Sequence, residues 1–123
     1  MREILFRGKD IKGIWHIGLL AHIGNAWYIS NKAGVSTAFE VIPSTVGQYT
    51  GLTDNNGKKI FEGDIVQHDF GTEQIGKQNA VVEYRQRYAG FMIKPLDNWM
   101  YCEKADCIVI GNIHDNSELL GGE

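Results

Sequence analysis

The stretch Thr45–Val66, TVGQYTGLTDNNGKKIFEGDIV, decides how this chain folds. It is dense in turn chemistry and poor in catalytic chemistry. Asp54-Asn55-Asn56-Gly57 spells a tight reversal, because Gly takes φ > 0 without steric cost and Asn tolerates it better than most residues. The pair Asn56-Gly57 fits a type I′ hairpin turn. Gly63-Asp64 breaks the chain again, just before the apolar pair Ile65-Val66. A chain punctuated this way folds back on itself as β structure.

Working outward, the same signature continues on both sides. Trp15 to Ile23 alternates, with Trp, Ile, Leu, Ala and Ile on odd positions, which is the period of a half-buried strand. Ile4 and Phe6 oppose Glu3 and Arg7 in the same way. Gly24-Asn25 turns the chain into Ala26–Ser30, and the polar loop Asn31–Ser36 leads to Phe39–Ile42. This predicts an antiparallel meander over residues 1–52. Residues 53–123 carry further short strands: Asp64–Phe70, Ala80–Tyr84, Phe91–Lys94 and Cys107–Ile110. Short strands at regular spacing with glycine-rich turns predict a small barrel. Asn116–Leu120 fits a single helical turn, capped by Asn116 or Ser117. No sustained 3.6-residue stripe occurs, so the expected class is mainly β.

The bulk composition narrows the function classes. A hydrophobic share of 43% is enough for a core and too high for a disordered chain. The net charge of −3 argues against a sequence-independent nucleic-acid binder, which usually carries a basic excess. Arg2, Glu3, Arg7, Lys9 and Asp10 are not the start of a signal peptide. The longest apolar region, Ile14–Ile23, is broken by His16, Gly18 and His22 and is too short for a membrane helix. The expected setting is soluble and intracellular. Two cysteines, Cys102 and Cys107, make no disulfide framework there.

The chemistry-bearing residues do not form a catalytic pattern. His16 and His22 are about 20 Å apart along an extended strand, too far to grip one metal. There is no CxxC and no HxxxH pair, so neither a metal nor an organic cofactor is expected. His68 and Asp69 are neighbours on a strand and point to opposite faces. His114 and Asp115 fall in a turn, where Asx side chains bond backbone amides. Asp64, beside Gly63, is read as a residue that satisfies turn amides. No phosphate-binding glycine loop is present. The best contact surface is the basic and aromatic cluster around Tyr84: Arg85, Arg87 and Tyr88, with Trp99, Met100 and Tyr101 beyond. Arg and Tyr dominate interface hot spots, and both stack on bases. The plainer reading places Tyr84 inward and leaves the arginines solvated.

Several segments together resemble one family. They are Met1–Asp10, Trp15 with Gly18, Thr45–Leu52, Lys59–Val66 and Val109–Asn116, followed by Glu118-Leu119-Leu120. In this order they are similar to the YopX-like proteins of bacteriophages and prophages, and Ser117 stands where that family has Pro. The resemblance implies an SH3-type barrel and a phage or prophage origin, and it implies no reaction. The expectation is a non-enzymatic accessory or regulatory module that acts by contact with a host or phage protein. The alternative is a nucleic-acid-binding module using the Arg/Tyr patch. The apolar odd positions of Trp15–Ile23 further suggest a homo-oligomer, and no membrane is expected as a partner.

Overall fold

The structure is a computed structural model, and it describes residues 3–30, 37–95, 98–104 and 106–121. The expected loop Asn31–Ser36 lies outside the described residues. The chain divides into two units, Met1–Gly51 and Leu52–Glu123. Both are built from antiparallel strands, and the described residues contain single turns of 3₁₀-helix but no α-helix. Among the described residues no helix is long and apolar enough to cross a membrane.

In the first unit, β1 (Phe6–Lys9), β2 (Trp15–Ile23), β3 (Ala26–Ser30), β4 (Phe39–Val41) and the start of β5 (Gly47–Thr53) lie in the order β4-β3-β2-β1-β5. The register pairs Gly8 with His16, Phe6 with Gly18, Leu20 with Ile29 and Trp27 with Val41, so these side chains share a face. Val41 lies across Gly8, where a Cβ would meet its Cβ at 2.9 Å. His16 stacks on Phe39 and His22 on Trp27, each with centroids 4.0 Å apart. Ile29, Val41 and Tyr49 are the buried apolar residues. The alternation of β2 was therefore right, but its apolar odd face is not the buried one. Ile17, Leu19, Ala21 and Ile23 are exposed. The even face packs inward instead, with Gly18 buried and His16 half-buried against Phe39, and only His22 near its end is exposed.

The second unit begins with the end of β5, paired with β6 (Lys59–Phe61). β7 (Asp64–Asp69), β8 (Lys77–Val81) and β12 (Cys107–Asn112) form one sheet in the order β12-β7-β8. β9 (Glu83–Arg85), β10 (Gly90–Ile93) and β11 (Met100–Tyr101) form another, ordered β11-β10-β9. Its core joins Ile60, Val66, Ala80, Val82, Ile93, Cys102 and Cys107, flanked by Leu52, Phe91, Met100 and Val109. Burying each of the larger aliphatic side chains contributes about 1.5–3 kcal/mol. Among the described residues no closed barrel is formed. The expected single strand Ala80–Tyr84 is two strands. Val82 breaks it by giving its amide to the Asp64 carbonyl at 2.9 Å, while its own carbonyl accepts from the Gly63 amide at 2.9 Å.

One turn device is used twice. In Asp10-Ile11-Lys12-Gly13-Ile14 and in Asp54-Asn55-Asn56-Gly57-Lys58, the glycine amide donates to the aspartate carbonyl at 3.0 Å. One carboxylate oxygen then accepts two further amides. For Asp10 these are Lys12 and Ile14, both at 2.9 Å. For Asp54 they are Asn56 at 2.9 Å and Lys58 at 2.8 Å. Gly57 has φ +82°, but Asn56 is not among the residues with positive φ. The Asn56-Gly57 turn is thus not type I′. It is a three-residue connection in which a type I turn is followed by a left-handed glycine. The carboxylate explains the difference, because holding the Asn56 and Lys58 amides together selects this geometry. The second oxygen reaches outside the turn, from Asp10 to His16 Nε2 at 2.8 Å and from Asp54 to the Val109 amide at 2.8 Å.

Candidate functional site

The histidines are spoken for. His16 pairs with Asp10, whose carboxyl is held below its ordinary value chiefly by that hydrogen bond. His22 lies on Trp27, and His68 Nδ1 faces the Asp106 carbonyl at 3.0 Å. His114 sits in a turn where Asn112 Oδ1 accepts its amide at 2.9 Å. Cys102 and Cys107 are both buried and share a thiol hydrogen bond, which, with burial, holds the Cys102 thiol well above its ordinary value. Among the described residues no group of three or more His, Cys, Asp or Glu is placed to hold a metal. A groove of about 180 Å³ is lined by Asn55, Gln67, Asp69, Lys77 and Asp106. Its carboxylates are already engaged, Asp106 by Asn55 Nδ2 and Asp69 by the Gly71 amide.

The contact candidates behave differently. The register pairs Arg85 with Gly90, Glu83 with Met92 and Met92 with Tyr101. Arg85, Gly90 and Tyr101 therefore share one face of the β11-β10-β9 sheet, while Tyr84, Phe91, Ile93 and Met100 take the other. The second set meets the core through Phe91, Ile93 and Met100. Tyr84 packs edge-on against Phe91 at 5.4 Å yet stays 49% exposed, so it lines the rim of the core.

On the first face Trp99 is the centre. The Arg85 guanidinium lies 4.6 Å and the Lys94 ammonium 5.4 Å from its ring centroid. Tyr88 is tilted beside it at 6.5 Å, with the Arg87 guanidinium 5.8 Å from the Tyr88 ring. Tyr101 donates its hydroxyl to the Tyr88 carbonyl at 3.1 Å. Its ring covers Gly90, where a Cβ would lie 3.3 Å from Tyr101 Cε1. Ala89, between Tyr88 and Gly90, has φ +52°, the only positive φ among the described non-glycine residues. A left-handed L-residue costs about 1–2 kcal/mol. Here it ends the 3₁₀ turn Gln86–Tyr88 and starts β10. All five contact residues read from the sequence fall in this one cluster. Lys94, which directly follows β10, was missed.

The cluster can hold an anion. Among the described residues the cluster's ion pair is Arg85 with Glu83, 3.4 Å from Arg85 Nη1. That pair is exposed and worth at most about 1 kcal/mol. A ring under a guanidinium also limits the rotamers of Arg85, which lowers the entropy lost when it binds.

Comparison with known proteins fits the architecture and assigns no reaction. The model of the YopX protein family matches residues 16–121. The crystal structure of protein EF1440 from Enterococcus faecalis superimposes with a TM-score of 0.62 at 26% identity. That match covers 98% of this chain and 99% of the other. Among curated proteins none matches. With the family model spanning most of the chain, the protein belongs to the YopX family.

Proposed function

We propose that the chain is a non-enzymatic accessory module, encoded by a phage or prophage and working in the host cytoplasm. It binds an acidic partner protein through the Trp99 face of β9, β10 and β11. The SH3-type barrel implied by the family resemblance belongs to this reading, as the architecture that presents the face. The observation that carries it is the convergence of Trp99, Tyr88 and Tyr101 with Arg85, Arg87 and Lys94 on one surface. Aromatic and arginine side chains supply most of the binding energy of protein interfaces. Three cations on a chain of net charge −3 set the sign of the partner.

A second reading is single-stranded nucleic acid, which is favoured by cations interleaved with aromatic rings on a sheet face. The net negative charge and Glu83 beside Arg85 favour the acidic protein. The tryptophan indole signals separate the two in a nuclear magnetic resonance titration. A glutamate- and aspartate-rich peptide is expected to move the Trp99 indole and leave Trp15 and Trp27 in place. Movement of Trp99 by a single-stranded oligonucleotide, with no response to the peptide, selects the second reading. If neither ligand moves Trp99, the site assignment fails.

A further inference from the structure

We propose that Cys102 and Cys107 form a reversible redox pair in the second unit, oxidised by a peroxide to an intrachain disulfide and returned to the dithiol by a small thiol. A buried thiol by itself usually serves as a small apolar side chain. These two are buried against each other. Cys102 is 2% and Cys107 3% exposed, and both belong to one core cluster with Ile60, Val66, Ala80, Val82 and Ile93. Their thiols share a hydrogen bond, so each sulfur already faces the other. Four residues separate them in the chain, yet they sit on different elements. Cys102 begins the 3₁₀ turn after β11, and Cys107 begins β12. In a reducing compartment, where this chain is proposed to work, disulfides are usually transient and redox-sensing.

The two sides of the pair are held unequally. Cys107 lies opposite His68 in the β12-β7 ladder, and its carbonyl accepts the Asn55 amide at 3.1 Å. The carbonyl just before it, of Asp106, meets His68 Nδ1 at 3.0 Å. Cys102 instead follows β11, a two-residue strand at the end of its sheet. Cys102 is therefore the side that can close the remaining gap to a covalent S–S bond. Glu103 and Asp106, between the two cysteines, are exposed, so a small oxidant reaches the pair by the opening of one surface turn. Tyr101 of the contact face immediately precedes Cys102, so the bond tethers that end of β11 to the start of β12.

The hydrogen bond also divides the roles. Cys102 donates to the Cys107 sulfur, which holds the Cys107 thiol below its ordinary value and the Cys102 thiol above it. The carboxylates of Asp54 and Asp106 work against a Cys107 thiolate without reversing the direction. The thiolate is the nucleophile, so Cys107 reacts first. Its sulfur attacks one peroxide oxygen and the O–O bond breaks. Cys107 becomes a sulfenic acid, and the released hydroxide takes up the thiol proton as water. The Cys102 sulfur then attacks the Cys107 sulfur, the S–O bond breaks, and the second hydroxide leaves with the Cys102 proton as water. Two thiols lose two electrons and two protons, and the peroxide is reduced to two waters.

The test is to equilibrate the full chain, folded and in urea, with mixtures of reduced and oxidised glutathione, and to read acid-quenched samples by mass spectrometry. The folded chain is expected to lose about 2 Da, the two thiol hydrogens, and to regain them with dithiothreitol. Peptide fragments are expected to link Cys102 to Cys107. The fold holds one sulfur at a high effective concentration beside the other. The folded chain is therefore expected to close the bond in mixtures roughly tenfold or more less oxidising than the unfolded chain needs. Under peroxide, Cys102→Ser is expected to leave a Cys107 sulfenic acid that a 1,3-dione traps, and Cys107→Ser is expected to leave no such adduct on Cys102. Three results would overturn the proposal. They are a folded chain no more readily oxidised than the unfolded one, peroxide carrying one parent cysteine to sulfinic acid with no disulfide formed, and trapping at Cys102 in place of Cys107.

Discussion

Replacing Asp54 by Ala should cost about 3 kcal/mol of stability, although the side chain touches no ligand and sits in a turn. The carboxylate is buried and accepts three backbone amides. Those of Asn56 and Lys58 belong to the turn and can be rehydrated, so their loss costs about 0.5–1 kcal/mol each. The Val109 amide is different. It lies on β12, 55 residues away, and Asp54 Oδ2 accepts it at 2.8 Å. Removing the carboxylate leaves that donor unsatisfied, which adds about 1–2 kcal/mol. For a chain of this length the total lowers the melting temperature by roughly 10 °C. The pH dependence has a definite sign. Burial pushes the Asp54 carboxyl up, but the amides of Val109, Lys58 and Asn56 outweigh it and hold the group below its ordinary 3.8. A depressed carboxylate contributes stability that is present above 3.8 and is lost as pH falls through the lower folded value. Urea unfolding of the parent and of Asp54→Ala, followed between pH 7 and pH 3, should show the gap between them shrinking in acid (~0.5–1 pH steps suffice). A variant that unfolds with the parent at neutral pH would refute the reasoning.

Two further substitutions test the close approaches. Gly8→Val should destabilise the first unit by about 1–3 kcal/mol, since the added Cβ would sit 2.9 Å from Val41; a parent-like thermal melt would show that β4 can move away. Gly57→Val forces a β-branched residue to φ +82° and should cost about 1–2 kcal/mol or more in denaturant unfolding. Arg85→Ala and Lys94→Ala should change stability by less than about 0.5 kcal/mol, as expected for exposed residues, and a large loss on chemical unfolding would assign them a structural role.

Much of the fold was legible because strand alternation and turn chemistry are local. Trp15–Ile23, Ala26–Ser30 and Phe39–Val41 could be read from period and punctuation alone. Which face of β2 is buried could not, because period two marks two faces without ranking them. The ranking came from the absence of a Cβ at Gly8 and from His16 stacked on Phe39. The Asp54 turn was visible as a turn, but its class depended on which amides the carboxylate holds. Asp64 was read correctly as an amide acceptor, taking the Phe61 amide at 2.7 Å in the interior. Asn116 or Ser117 was expected to cap the last turn; Asn116 takes the N-cap position but makes no side-chain cap hydrogen bond. Its Oδ1 accepts from the Asn112 amide at 3.2 Å, in the space left by Gly111. The contact cluster was half legible. Arg85, Arg87 and Tyr88 are sequence neighbours, whereas the placement of Trp99 against Arg85 needs the pairing of β9, β10 and β11.

The binding role is tested most directly by affinity capture from phage-infected host cells, with the parent and an Arg85→Glu/Trp99→Ala variant compared side by side. Nuclease treatment removes partners held only through nucleic acid. The account predicts that an acidic protein is retained by the parent after nuclease treatment and is lost from the folded variant. Identical protein sets from the two baits would contradict it.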